Sequence, residues 1–111
     1  MRIIDTGITK EILSGDNHPQ LKIGDKLYTV DNRQSTWDKI QKMQMDATLS
    51  DDDKNDKLFE LALGKEALDE IKSYDMPVEN YIYLTFCITG AIVGEDPKEL
   101  QKRAREQVGK N

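Results

Sequence analysis

The chain has 111 residues, a formal charge of −5 at pH 7 and a sequence pI of about 4.9. That length suits one domain able to bury a single core without disulfides, and an acidic balance gives no general attraction to nucleic acid or anionic lipid. One His and one Cys cannot supply a zinc site, a redox pair or the usual nucleophile–base arrangement, so no enzyme, metal or cofactor is expected.

In chain order, Met1-Arg2-Ile3-Ile4-Asp5 meets an acid before any hydrophobic stretch develops, which is not the pattern of a secretory signal. An early strand fits Arg2–Ile4 or Ile8–Leu13, ahead of the loop Ser14–Pro19. His18 in that loop has no second His or available Cys beside it and reads as a surface residue. Leu21–Val30 reads as a hairpin around Gly24-Asp25, where glycine at the first turn position suits type II′ geometry. In that register Leu21 lies opposite Tyr28, and Lys22 opposite Leu27.

From Asn32 the period becomes helical, with Trp37, Ile40, Met43 and Ala47 on one stripe. Ser35 followed by Asp38 resembles a capping pair. Leu49–Asp53 breaks and restarts the chain, with Ser50 placed to cap a helix whose first turn is acidic. The run from Asp51 has oxygen ligands where a calcium loop wants its first, third and fifth. It lacks the glycine (Asp56 stands there) and the closing Glu (Ala62), so a capped helix start is the better reading. Leu58, Leu61 and Ala62 share a face of that second helix, with Phe59 and Leu63 beside it. Gly64 either ends the helix or bends it into Lys65–Tyr74, whose apolar residues are Ala67, Leu68 and Ile71.

Pro77 and Glu79 mark a new N-terminus. The helix Val78–Val93 that follows is apolar nearly all round. Tyr81, Leu84, Ile88, Ala91 and Ile92 fill one arc, while Ile82, Phe86 and Val93 fill a second. Such a helix must be covered on more than one side, by its own domain or by another chain. Its apolar segment of about 13 residues falls short of the roughly 20 that cross a bilayer, and Cys87 within it reads as a buried free thiol. Gly90, in mid-helix, costs about 1 kcal/mol relative to Ala, which a close backbone crossing offsets, within the domain or across an interface. Gly94 is a C-cap. Asp96-Pro97 opens a last helix through Val108 with a narrow stripe, Leu100, Ala104 and Val108. Residues Lys98–Lys110 carry five bases and two acids against thirteen acids and seven bases in Asp31–Glu79; the basic end is expected to be a solvated tail.

The expected fold is mainly α: a small helical bundle of about four to five helices with an N-terminal β-hairpin. It is a single domain over 1–111, with a β-hairpin or extended region at 1–31, a helical core at 32–96, and a C-terminal helix and tail at 97–111. The helix wheels pick out Tyr83, Phe86, Leu100, Ala104 and Val108 as protein-interface candidates.

Lys26-Leu27-Tyr28-Thr29-Val30-Asp31-Asn32-Arg33, followed by Trp37-Asp38-Lys39-Ile40-Gln41-Lys42, resembles tail assembly chaperones of long-tailed phages and prophages of Gram-positive bacteria. Leu58-Phe59-Glu60-Leu61-Ala62-Leu63-Gly64-Lys65-Glu66-Ala67 adds to this, as do Ile71, the helix start before Tyr81, and Ile92-Val93-Gly94. The likeness runs over roughly residues 22–103; Pro77 and the first twenty residues depart from it. The resemblance implies a non-catalytic protein of the host bacterial cytoplasm that binds the tape measure protein while the tail tube polymerises, is absent from the mature virion, and self-associates along its client. In many relatives a frameshift gives a longer second product. Neither nucleic acid nor a membrane is an expected partner. The alternative is another small phage or prophage interaction module, an antitoxin-like regulator or a structural tail or head–tail component.

Overall fold

A computed structural model describes residues 2–14 and 18–109. Residues 2–14 form an arm, exposed along its length, that ends in a five-residue helix, α1 (Lys10–Ser14). The strand expected at Arg2–Ile4 or Ile8–Leu13 does not form. Local side-chain bonds turn the backbone instead: Asp5 Oδ1 accepts from Gly7 N at 2.9 Å and Thr6 Oγ1 from Ile8 N at 3.2 Å. Short polar side chains that satisfy nearby amides compete with a sheet ladder, and here they win.

The hairpin follows as read. Strands β1 (Gln20–Ile23) and β2 (Lys26–Thr29) pair antiparallel with Leu21 opposite Tyr28 and Lys22 opposite Leu27. Gly24 has φ 62° and Asp25 no positive φ, the type II′ pattern. Leu21, Ile23 and Tyr28 turn one face inward. The strand end is tied to the bundle by Asp31 N donating to Ala62 O at 2.8 Å.

Helix α2 (Gln34–Gln44) buries Ile40 and Met43, with Trp37 packed beside them. Its start differs from expectation. Ser35 lies inside the helix, Arg33 is the N-cap residue without a side-chain cap bond, and Asp38 accepts from Gln34 Nε2 at 3.0 Å. Asp31 organises the entry instead: its Oδ2 accepts from the buried Thr36 hydroxyl at 2.7 Å and from Arg33 at 2.8 Å. Ala47 falls beyond the helix and is exposed, because Asp46 Oδ1 accepts from Thr48 N at 2.9 Å and fixes a turn there.

Ser50 Oγ accepts from Asp53 N at 3.1 Å and caps α3 (Asp51–Leu63), which buries Leu58, Phe59 and Ala62. Gly64 ends α3 with φ 98° and ψ 159°, a region essentially closed to side-chain-bearing residues, and the same residue starts α4 (Lys65–Ser73). Leu68 and Ile71 are the buried residues of α4. After Pro77, α5 (Val78–Val93) lays Tyr81, Leu84, Ile88, Ala91 and Ile92 on the core, the first of the two arcs. The rings of Tyr81 and Phe59 stack with centroids 4.7 Å apart and planes 3° from parallel. The hydroxyls of Thr85 and Thr89 donate to carbonyls of their own helix, Ile82 O at 2.6 Å and Thr85 O at 2.9 Å.

A left-handed Gly94 turns the chain into α6 (Pro97–Gly109), which packs along α5. Gly90 O accepts from both Gly94 N at 2.8 Å and Glu95 N at 3.0 Å, and a Cβ on Gly90 would lie 2.5 Å from Glu95 O. The crossing backbone that mid-helix glycine anticipates is therefore the chain's own α5–α6 turn. The described residues form six helices, counting the short α1, and one hairpin; the single cluster of buried side chains is drawn from the hairpin, Val30 and α2 to α5. The radius of gyration, 15.9 Å, exceeds the roughly 13 Å of a compact chain of this length.

Candidate protein-binding surface

The second arc of α5 faces solvent. Val78 is 74%, Ile82 42% and Val93 41% exposed, and Phe86 is half-buried between them. Four-residue spacing stacks Val78, Ile82 and Phe86 one above another on the helix. Helix α6 leans beside this strip without covering it. Ile82 and Phe86 of α5 and Ala104 of α6 form an open groove of about 390 Å³, with Glu79, Gln101 and Arg105 at its edges. A smaller and more enclosed groove of about 270 Å³ shares Phe86 and runs past Trp37, Leu58, Thr85, Thr89 and Leu100.

Glu79 and Arg105 pair with nothing among the described residues, whereas Arg103 is held by Glu95 at 2.7 Å. An apolar floor with one free acid and one free base at its rim suits aliphatic or aromatic side chains presented by an amphipathic segment.

Of the residues expected at an interface, Phe86 and Ala104 share the groove, and Leu100 lines the neighbouring groove that also takes in Phe86. Tyr83 sits elsewhere on α5, half-buried, one helical turn before Cys87. Val108 belongs to α6, but its side chain lies outside the described part of the structure. Val78, Ile82, Glu79 and Arg105 were not among those expected. The repeat of apolar residues at 78, 82 and 86 is the signal that finds the first two. The two charges become visible only once α6 is known to lie against α5.

The ionisable groups elsewhere act as straps. Glu70 on α4 takes the Lys26 ammonium at 2.7 Å, the Tyr74 hydroxyl at 2.9 Å and the Tyr28 hydroxyl, joining hairpin to bundle. Lys26 first, then the two phenols, draw the Glu70 carboxyl down to about 2, while burial and that carboxylate push the Tyr28 phenol up. Partial burial opposes ionisation of Asp56, yet Lys72 at 2.7 Å and the Tyr81 hydroxyl at 2.6 Å hold it below the usual range. Arg33, then Thr36, keeps Asp31 well below that range too. Burial raises the Cys87 thiol, the reverse of what a nucleophile needs. His18 Nδ1 lies 2.8 Å from Asn32 Oδ1, beside an open cleft of about 820 Å³ between the arm and the end of α3. Among the described residues, no three His, Cys, Asp or Glu are grouped to hold a metal ion, and no helix is long and apolar enough to cross a membrane.

No protein-family model, curated protein or solved structure matches this chain. What it does is read from the α5–α6 surface and from the sequence resemblance.

Proposed function

We propose that this chain is a tail assembly chaperone of a long-tailed phage or prophage, acting in the host cytoplasm by reversible, non-catalytic binding of the tape measure protein. The observation that carries the reading is the uncovered apolar strip Val78–Ile82–Phe86 with Ala104 beside it, on a body of net charge −5. A long helical client exposes apolar surface until the tube closes around it, and such surface aggregates unless another apolar face covers it. A shallow groove with few charges gives weak contacts that let go when the tube displaces them. Net negative charge keeps the loaded chaperone from self-precipitating.

The test is co-expression with the tape measure protein encoded beside this chain's gene. The client is expected to shift from the insoluble to the soluble fraction and to co-purify with the chain. A client that stays insoluble with no complex formed, or this chain recovered in stoichiometric amount from purified virions, contradicts the proposal.

A further inference from the structure

The arm carries a second uncovered apolar surface, apart from the groove. Ile3, Ile4, Ile8, Ile12 and Leu13 are between 54% and 83% exposed, and no residue of α1 is buried. Five residues are too few for a helix to hold itself in water. Five large aliphatic side chains within an eleven-residue stretch make a patch of the kind that marks an interface. The expanded radius of gyration fits an arm lying off the core rather than folded into it.

One chain thus presents an aliphatic arm and an apolar groove; the arm is neutral as a whole, Arg2 and Lys10 against Asp5 and Glu11, and two of its charges have opposites at the groove. Arg105 at the groove's edge is unpaired among the described residues, and so are Lys98 and Lys102 along α6. The arm brings the unpaired carboxylate of Glu11. On the opposite rim, the unpaired Glu79 suits Lys10. We propose that the arm of one copy docks in the α5–α6 groove of a second copy, Ile8 and Ile12 against Ile82, Phe86 and Ala104, with Glu11 toward Arg105. Each copy then gives an arm and receives one, reciprocally in a pair or onward in a chain. The neighbour's arm holds the groove closed to water, and a client helix binds by displacing it. The docking shares its groove with the function proposed above but requires no client, so it is tested on the purified chain alone.

Light scattering on the full chain across a concentration series is expected to show mass rising above the 12.7 kDa monomer. Ile8→Asp with Ile12→Asp alters only exposed arm residues, and Arg105→Glu only an exposed rim residue. Each is expected to keep the helical circular dichroism of the parent and to weaken association at least tenfold. Mixing the two is the decisive arm of the experiment. The first retains a sound groove and the second a sound arm, so the mixture recovers a one-to-one pair that neither forms alone. A parent chain that stays monomeric throughout, association indifferent to the arm substitutions, or a mixture that does not pair overturns the proposal.

Discussion

Phe59 is the side chain on which the core turns. It is fully buried, and its ring lies flat on Tyr81, so α3 and α5 are registered through one stacked pair. Phe59→Ala removes the ring and leaves a cavity, with an expected cost of about 3–5 kcal/mol in chemical denaturation, a large part of the roughly 5–15 kcal/mol that holds a domain of this kind. Glu70 makes a different prediction. Its folded value of about 2 lies below its ordinary 4.5, so the folded state binds that proton more weakly than the unfolded one. Its contribution is whole above about pH 4.5 and drains away as pH falls toward 2. Melting temperature should therefore fall less steeply across that window in Glu70→Gln than in the parent, with Asp31 and Asp56 supplying the residual slope. The sequence held the hairpin register in full, because Gly24-Asp25 and the alternation of Leu21, Ile23 and Tyr28 are local. It held nothing of the Tyr28–Glu70 strap, whose partners stand 42 residues apart and carry no pattern that joins them.

Elements with a strong period were legible: α5 starts and stops where Pro77 and Gly94 say, and its first arc is the arc that packs. Elements set by competition between local bonds were not. The arm's Asp and Thr side chains turned an aliphatic stretch away from sheet, and Asp31 took the organising role assigned to Ser35 at the start of α2. In both places a short polar side chain takes the amide two residues on, a choice that spacing alone does not reveal. Gly90 is an element-scale feature with a clear consequence. Gly90→Ala gains about 1 kcal/mol of helix propensity but places a methyl 2.5 Å from the Glu95 carbonyl. Backbone cannot yield as a side chain does, so an overpacking cost of about 1–3 kcal/mol outweighs that gain and a net loss of up to about 2 kcal/mol is expected, visible as a lower denaturation midpoint and a loosened α6.

At the scale of the whole molecule, acids crowd the middle of the sequence and free bases line α6, while two apolar surfaces stand outside the core. The sequence announced that α5 was too apolar for one small domain to cover and named Phe86 and Ala104. It did not show the groove's edges, since those depend on how α6 crosses α5. The central claim is that this groove grips a partner's apolar segment, and Ile82 tests it most directly because it is already part-exposed and can be changed without opening the core. Binding of the proposed client, the tape measure protein, should be titrated for the parent and for Ile82→Asp, with circular dichroism confirming an unchanged fold. An affinity loss of tenfold or more, about 1.4 kcal/mol, is the predicted result; equal affinity in a folded variant would contradict the account.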